Sequence, residues 1–461
     1  ISQSGALCTS VLDWAVDECV GFSKFISMGN KTDIDEVDLI QVIDSDDQTK
    51  VILGYLEGVN NGMAFMHAAQ KITKKTPMII VKSGGTMAGA RAASSHTGTL
   101  AGAENAFDTA FKQSGVLRAK TVEELFDYAR IFGQQPLPKG PRIALVTNAG
   151  RPGIIAADAI ERSKLEMATL SKNTIDLLRS SLPPMANVYN PVDVLGDAKA
   201  DRYKFVVETV VADPNVDIVL VILTPQTMTE IEKTAEVIGE ISNYAGKTVA
   251  TSFMGGKRIK NSLKIMCQRK VPNYPFPERA VSAIEAMYKY TLWQKKPIPE
   301  MKEMNMQKEL VVSVFEKVRQ TGRQDLGEDE AKQVISVYGF KIPRSILATS
   351  ETEAVEAAAE IGYPVVAKIS SPDILHKSDF GGVIVGIKNA AEIRRFFCDI
   401  TQKARRLMPS AEIKGILVQQ MITGGKEVIL GMSRDPQFGP LLMFGLGGIY
   451  IEVLKEDRKS T

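Results

Sequence analysis

The first 135 residues alternate short apolar runs with stretches of helical periodicity. Runs typical of buried strands stand at 24–29, 51–57 and 78–84, and a helical pattern of apolar positions covers 62–72. Strands that alternate with helices form parallel sheets with helices on both faces. The pattern therefore predicts a parallel, doubly wound α/β domain over 1–135.

A second block of the same kind follows a break. Three prolines and a glycine within 134–141 interrupt both periodicities and predict a linker. Beyond it, a helical pattern at 154–163 comes directly after the first of three expected strands, which lie at 142–148, 217–223 and 248–253. A second α/β domain is therefore expected over 140–296.

The pattern changes again after Pro297 and Pro299. A polar, charged stretch without strand signals predicts a helical linker over 297–326. A helix at 328–339 then precedes runs whose side chains alternate between two faces, at 364–370, 383–387, 415–421 and 427–433. Such alternation is typical of mixed or antiparallel sheets, so an α+β domain is expected over 327–461.

Composition narrows the function classes. The 461 residues carry 56 Lys and Arg against 54 Asp and Glu, a net charge of +2, which argues against a nucleic-acid surface and keeps small anionic ligands open. The apolar runs are too short to cross a membrane and no secretory signal opens the sequence, so a cytoplasmic protein is expected. The four cysteines show no C-x-x-C pairing, which argues against zinc knuckles and a disulfide framework.

His96 is the histidine whose surroundings point to chemistry. It stands at 93–102 among small hydroxyl residues and glycines, which offer little for a core to pack on and let a bulky group approach the backbone. A neutral imidazole in such a loop can act as a nucleophile, and the phosphoramidate that it forms needs anion-stabilising donors. A solvated loop histidine is the alternative. His67 lies on a helical pattern and receives no role.

Two predicted helix starts could supply those donors. Ser4 and Gly5 precede the first helical pattern, and Asn148, Gly150 and Gly153 lie between a strand and the next helix. The free amides and the macrodipole of a helix start favour a nearby anion by about 0.3–1 kcal/mol. An ordinary turn is the alternative for either one alone. Two of them facing one phosphorylated side chain would form a coherent phosphate site.

Glu57 ends the expected strand at 51–57 and could orient the histidine. A carboxylate at this position can accept an imidazole N–H, which fixes the tautomer and raises the nucleophilicity of the other nitrogen. A solvated carboxylate at a strand end is the competing interpretation.

The last third carries candidates for a nucleotide site. Lys368 lies on an apolar strand, where its ammonium is costly unless it meets an anion such as phosphate. His376 and the pair Gly381 and Gly382 follow, and a glycine pair leading into a strand suits a loop over phosphates. Glu427 and Glu452 could contact adenosine or magnesium, and the metal ligands remain unknown.

Together these segments resemble the nucleoside-diphosphate-forming acyl-CoA synthetases, which include ADP-forming acetyl-CoA synthetase and succinyl-CoA synthetase. The resemblance covers essentially the whole chain and is carried by six motifs, at 4–5, 55–58, 95–102, 147–153, 190–194 and 376–383. It implies two flavodoxin-like domains followed by the first part of an ATP-grasp domain. It also implies that acyl-CoA, acetyl-CoA foremost, reacts with phosphate and ADP to give carboxylate, CoA and ATP through an acyl phosphate and a phosphohistidine.

The resemblance also assigns roles to individual residues. His96 would be the phosphorylated histidine, Glu57 its orienting carboxylate, and the two helix starts would hold the phosphate. Lys368 would contact nucleotide phosphates, and His376 would relay the phosphoryl group. Asn190, Pro191 and Asp193 match a loop near the acyl-phosphate site. The implied cofactors and substrates are ATP or ADP, Mg²⁺ and CoA, in a homo- or hetero-oligomer.

The sequence departs from the family pattern in three ways. Arg151 stands where the family usually has glycine. No CoA-binding Rossmann-like domain precedes Ser2, and the ATP-grasp domain stops at Thr461, so we expect a fragment that is inactive alone. A non-catalytic regulator that senses CoA or nucleotide is the competing function. A carboxylate–amine ligase would leave the first 290 residues without a task.

Overall fold

In the computed structural model, the described residues are 1–17, 20–29, 31, 33–85, 104–298, 307–371, 373–374 and 381–447. They fall into two compact units. One unit contains Ile1–Ile298 together with the stretch that begins at Val428, and the other covers Pro299–Glu427.

The first domain is built on a parallel sheet. Strands β1 (Ile52–Leu56), β2 (Met78–Lys82) and β3 (Leu117–Ala119) lie side by side, and parallel bridges from Ser2 to Ser27 and Tyr55 extend the sheet beyond β1. The segments at Ser2 and Ser27 count as the first and second strands along the chain, and β1, β2 and β3 as the third to fifth. The spatial order is then second, first, third, fourth, fifth, which is the flavodoxin-like order. The helices are α1 (Gly5–Asp17), α2 (Glu36–Asp44), α3 (Gly62–Ile72), α4 (Glu104–Ser114) and α5 (Val122–Gln134).

The second domain repeats this architecture. Its strands are β4 (Arg142–Thr147), β5 (Glu166–Met167), β6 (Val192–Asp193), β7 (Ile218–Leu223) and β8 (Thr248–Phe253). The order is β5-β4-β7-β8, all parallel, and β6 pairs with the far end of β4. Every residue of β7 and β8 is buried, as the continuous apolar runs predict. The helices are α6 (Gly150–Glu161), α7 (Lys172–Ser181), α8 (Ala200–Ala212), α9 (Ile231–Ala245), α10 (Lys260–Gln268) and α11 (Pro277–Lys295).

The two parallel-sheet domains share a hydrophobic core. Helix α5 of the first domain packs against α11 of the second, and the rings of Phe132 and Tyr290 meet edge to face at 5.6 Å. Asp127, which is buried on α5, accepts hydrogen bonds at 2.7 and 2.8 Å from the guanidinium of Arg279 on α11. Because a charged pair inside an interface requires its partner, these contacts fix the two domains to one another.

The second unit is an antiparallel sheet with helices. Its strands follow the order β11-β10-β12-β9, with β9 at Ser345–Ala348, β10 at Val365–Ser370, β11 at Val383–Ile387 and β12 at Gly415–Gln420. Helices α14 (Glu351–Ile361) and α15 (Ala390–Leu407) cover a core of its own. Helices α12 (Lys308–Gln320) and α13 (Glu328–Val337) precede the sheet. The α+β expectation is confirmed.

The last described element is a β-hairpin that packs on the first domain. Strands β13 (Val428–Asp435) and β14 (Gly439–Leu446) pair only with each other among the described strands, although the run at 427–433 is predicted as part of the third domain. Phe438 at the turn is buried and meets Phe107 at 4.9 Å, and the Gly62 amide donates to the Gln437 carbonyl at 2.9 Å. The hairpin thereby satisfies the first amide of α3.

Candidate functional site

The strand order of the first sheet reverses between the strand at Ser2 and β1. In open α/β sheets, ligands bind outside the carboxyl ends of the strands at this point. Ser4 and Gly5 follow one of these strands and Glu57 follows the other. Gln3 joins them, because its Oε1 accepts a hydrogen bond from the Glu57 amide and its Nε2 donates to Gly58 O at 3.4 Å. Ser4, Gly5 and Glu57 therefore border one crevice.

Helix α1 begins at this crevice with a capped first turn. The Leu7 amide donates to Ser4 Oγ at 3.3 Å, and the Ser4 amide donates to Ser2 Oγ at 3.1 Å. Gly5 leaves open space, since the nearest atom to an added Cβ is Ser27 Oγ at 3.9 Å. The Ser4 hydroxyl thus serves as the N-cap, and an anion here would meet the remaining amides of the turn.

A buried ion pair holds the turn after β1. Lys31 Nζ lies 2.9 Å from Glu36 Oε2 and 2.5 Å from Gly58 O, and both side chains are almost wholly buried. The other carboxylate oxygen of Glu36 accepts from the Asn60 amide at 3.0 Å. Sequence reasoning missed both residues, because only the fold brings this pair to the end of β1.

Lys82 is a second charged residue that sequence reasoning missed. It ends β2 in register with Leu56 of β1, and only 7% of the residue is exposed. Burial lowers the pKa of its ammonium, against the raising effect of Glu104 and, more weakly, of Glu57. A lysine on an otherwise apolar strand is the signal that singled out Lys368, and it could have found Lys82 as well.

Glycines at the end of β2 lie close to a cluster of charged residues on α4 and β3. Gly84 has a φ of +73°, and a Cβ on Gly85 would overlap the carboxylate of Glu104. Arg118 on β3 binds both Glu104 and Asp108. His96 and its neighbours at 93–102 lie outside the described residues, as do His376 and Glu452, so their roles stay predictions.

The second sheet has an equivalent reversal between β4 and β7. Asn148 follows β4 and Thr224 follows β7. The Asn148 side chain joins these two strand ends, because its Oδ1 accepts a hydrogen bond from the Thr224 amide and its Nδ2 donates one to the Thr224 carbonyl, each at 2.8 Å. The Asn148 side chain is buried. Its amide group is occupied by Thr224, so we expect any phosphate at this crevice to contact backbone amides nearby.

Helix α6 begins at this second crevice. Its N-cap, Ala149, makes no side-chain cap, so within the described structure the first amides of α6 are less satisfied than those of α1. Arg151 is exposed, whereas Gly153 is buried, and an added Cβ there would lie 3.3 Å from Thr147 Cγ2. Asp193 Oδ2 lies 3.6 Å from the Cβ position of Gly150, so an acidic group adjoins this helix start.

The side chain of Asn190 bonds to the backbone of the second sheet. Its Oδ1 accepts from the Leu145 amide, and its Nδ2 donates to the carbonyls of Ile143 and Ala168, all at 2.9 Å. These three bonds join β4 to the segment after β5. The amide of Asn190 is thus used inside the fold, and the expected place beside the acyl-phosphate site gains no support from it.

In the second unit, Lys368 on β10 meets a carboxylate. Its Nζ lies 3.0 Å from Glu328 Oε1, and Nζ of Lys332 lies 3.0 Å from the same oxygen. Lys332 also donates to Gln419 Oε1 at 3.1 Å. Two ammonium groups against one carboxylate leave a positive charge, which suits an anionic ligand. Lys332 is a residue that sequence reasoning missed.

The glycine pair forms a turn beside β10. Gly381 has a φ of +68°, and Gly382 is buried with its carbonyl accepting from the Ile369 amide at 2.8 Å. Lys403 Nζ lies 2.8 Å from the position of a Cβ on Gly381, an approach that glycine permits. Glu427 is exposed. In the part of the chain that the structure describes, no group of three His, Cys, Asp or Glu side chains could hold a metal ion.

The cysteines differ from the expectation. Cys267 is disulfide-bonded, whereas Cys8 is a buried free thiol and Cys398 is free and half-buried. The spacing argues against a disulfide framework but does not reveal the disulfide of Cys267, because it does not show which cysteines the fold brings together. None of the described helices combines the length and apolarity needed to span a membrane.

Comparison with known proteins gives three domain matches. A succinyl-CoA ligase like flavodoxin domain matches residues 1–132, a ligase-CoA domain matches 143–296 and an ATP-grasp domain matches 317–460. The acetate–CoA ligase (ADP-forming) I of Archaeoglobus fulgidus is 42% identical over 457 residues, 99% of this chain and 65% of that protein. The 4-hydroxybutyrate–CoA ligase (ADP-forming) of Nitrosopumilus maritimus is 41% identical, over 99% of this chain and 66% of that protein.

A solved structure is similar to 64% of the chain. It is a dinucleotide-forming acetyl-coenzyme A synthetase 1 of Ca. Korarchaeum cryptofilum in complex with phosphate and ADP, with a TM-score of 0.61 and 35% identity over 64% of each chain. The sequence matches run through 99% of this chain, and the chain spans about two thirds of the length of these relatives.

Proposed function

This chain belongs to the family of ADP-forming acyl-CoA synthetases, and from that premise we propose that it interconverts acyl-CoA, phosphate and ADP with carboxylate, CoA and ATP. The observation that carries the proposal is the crevice of the first domain. There Gln3 joins the start of α1 to Glu57 at the reversal of strand order.

The proposed reaction has three balanced steps. Phosphate displaces CoA from acyl-CoA and gives an acyl phosphate. The imidazole of His96 then attacks phosphorus, the carboxylate leaves, and a phosphohistidine forms. The phosphoryl group finally passes by way of His376 to ADP, which gives ATP and restores both imidazoles.

The chain's own residues divide this work. Glu57 accepts the second imidazole N–H and holds the proton there, so that the other nitrogen carries the lone pair that attacks. The amides that begin α1 and α6 stabilise the phosphoryl oxygens, where charge accumulates in the transition state. Lys368 and Lys332 would hold the nucleotide phosphates, with the turn at Gly381 and Gly382 beside them. His376 would receive the phosphoryl group near the nucleotide.

The substrates follow from the same premise. Phosphate and ADP are named with the solved relative. Mg²⁺ is proposed to arrive with the nucleotide, whose phosphates supply much of its coordination, and no described residue is assigned to it. Acetate is the first acid to test, and 4-hydroxybutyrate the second, because two relatives of nearly equal identity are named for these acids. The cytoplasmic location and the oligomeric state stay predictions.

Phosphoryl labelling tests the proposal. Incubation of the full-length protein with γ-labelled ATP or labelled acetyl phosphate is expected to label His96, and His96→Asn is expected to abolish labelling by acetyl phosphate. His67→Asn is the matched control and is expected to label normally. Undiminished labelling of His96→Asn by acetyl phosphate would contradict the mechanism. Ligand-dependent shifts of melting temperature without acid-dependent consumption of CoA would instead favour a regulator.

A further inference from the structure

Lys82 is a buried cation for which the proposed mechanism has no task. Among the described residues its Nζ donates one hydrogen bond, to the carbonyl of Ser83, and it lies 4.6 Å from the ring centroid of Phe107. An ammonium carries three N–H donors. Two of them therefore have no acceptor within the described structure, although only 7% of the residue is exposed.

The neighbouring charges do not account for this lysine. Glu104 is the carboxylate that raises the pKa of Lys82 most, yet Glu104 forms an ion pair with Arg118. Glu57, at the end of the adjacent strand, makes no side-chain hydrogen bond or ion pair with any described residue. Two opposite charges thus stand at neighbouring strand ends without a direct ion pair. A buried charge is costly unless it is paired, so this arrangement is typical of a site that is completed by an anion.

The aromatic residues beneath Lys82 limit where its ammonium can go. Phe107 is fully buried and packs edge to face on Phe438 at 4.9 Å. A cation over an aromatic face is attracted to the ring, so the contact with Phe107 restricts the positions that Nζ can take.

We propose that Lys82 is an anion-binding residue of the phosphoryl-transfer site, whose ammonium contacts the oxygens of inorganic phosphate or of a phosphoryl group beside Glu57. The inference rests on the proposed function. Its physical reason is that an orienting carboxylate and a phosphoryl group repel each other in one crevice. A buried ammonium at the next strand end offsets that repulsion and lets both groups occupy the site.

The test uses the full-length enzyme and three variants. Lys82→Met removes the charge at similar length, Lys82→Gln keeps a donor without the charge, and Lys71→Met on an exposed helix face is the matched control. Two readouts are needed: the rate of histidine labelling by acetyl phosphate, and the affinity for inorganic phosphate from calorimetry. We expect Lys82→Met to lower the labelling rate by about 100-fold or more, the size found when an oxyanion donor is removed.

A double variant separates electrostatics from packing. If Lys82 offsets the charge of Glu57, the loss of phosphate affinity in Lys82→Met will be several-fold smaller when Glu57 is also changed to Gln. A purely structural lysine would weaken phosphate binding equally in both backgrounds. Should Lys82→Met fail to fold, Lys82→Gln provides the same comparison.

The outcomes are distinct. Histidine labelling and phosphate affinity that are equal in wild type, Lys82→Met and Lys82→Gln would overturn the proposal for Lys82 and leave the proposed function standing. A wild-type enzyme that binds phosphate through Lys82 but never labels a histidine would support the anion site and contradict the phosphohistidine mechanism.

Discussion

The two parallel-sheet domains each have a crevice where the strand order reverses, but different side chains surround it in each domain. In the first domain Gln3 bridges the two strand ends, and Glu57, Lys82 and the Lys31–Glu36 pair bring charge to the edge. In the second domain a neutral amide, Asn148, bridges the strand ends, and its partner is the backbone and hydroxyl of Thr224.

The difference teaches what the fold supplies and what the side chains supply. Both domains present helix starts at the reversal of strand order, so both can hold an anion. Among the described residues, the first crevice has Glu57, Lys82 and a buried ion pair at its strand ends, whereas the second has Asp193 beside the start of α6. The proposed division of labour follows: the first domain performs the chemistry, and the second holds the phosphoryl group. Function resides in the side chains grafted on a repeated fold.

The largest expected effect tests the chemical role of Glu57 at the first crevice against the structural role of Asn148 at the second. Glu57→Gln is expected to lower the rate of histidine labelling by about 10²–10⁴-fold, because a neutral amide holds the imidazole tautomer poorly. Asn148→Ala, at the bridge of the second crevice, is expected to lower the rate far less and to reduce stability instead. Rapid-quench labelling and denaturant unfolding of both variants check this. Equal losses of rate would remove the distinction between the crevices.

A second prediction concerns the neutral amides of the second domain. Asn190→Ala leaves the Leu145 amide without this partner and removes one bond from each of two carbonyls, of which that of Ile143 keeps its bond from the Ala168 amide. The free energy of unfolding is therefore expected to fall by about 1–3 kcal/mol, the cost of one unsatisfied buried group. Chemical denaturation measures it. Asn261→Ala, on the exposed side of α10, is the control and is expected to stay within about 0.5 kcal/mol. A neutral Asn190→Ala would mean that these bonds are replaced by water.

The smallest effect compares the two helix starts directly. Ser4→Ala removes the cap of α1 and is expected to cost about 1 kcal/mol, whereas Ala149→Ser supplies a cap to α6 and is expected to gain a similar amount. The new hydroxyl would also occupy an amide that the proposal gives to phosphate, so phosphate affinity should fall several-fold. Melting temperature and calorimetry together check both. Tighter phosphate binding in Ala149→Ser would contradict the role of this helix start.

Much of the fold could be predicted from apolar runs. The runs at 51–57, 78–84 and 217–223 contain β1, β2 and β7. Such strands can be predicted from the local sequence, because buried parallel strands are apolar on both faces. The family, the fold class and the antiparallel third sheet are confirmed as well. The run at 24–29 forms only the bridge from Ser27 to Ser2.

The site was less predictable, because its contacts join distant parts of the chain. Ser4 and Glu57 could be named from motifs, yet Gln3, which joins them, could not. Lys332 and Glu328 reach Lys368 only when α13 packs beside β10. Asn190 carries a family motif, but its three bonds to backbone atoms show a task in the sheet that no local pattern encodes.

The docked hairpin has a consequence for how the ATP-grasp portion is attached. The chain leaves the first unit after Ile298 and re-enters it at Val428, so residues 299–427 form an insertion anchored at both ends. A double tether keeps the local concentration of this insertion high even when one strand of the connection is cut. A single proteolytic cut between 299 and 306 should therefore leave two polypeptides that co-purify, because Phe438 stays packed against Phe107 in the first domain.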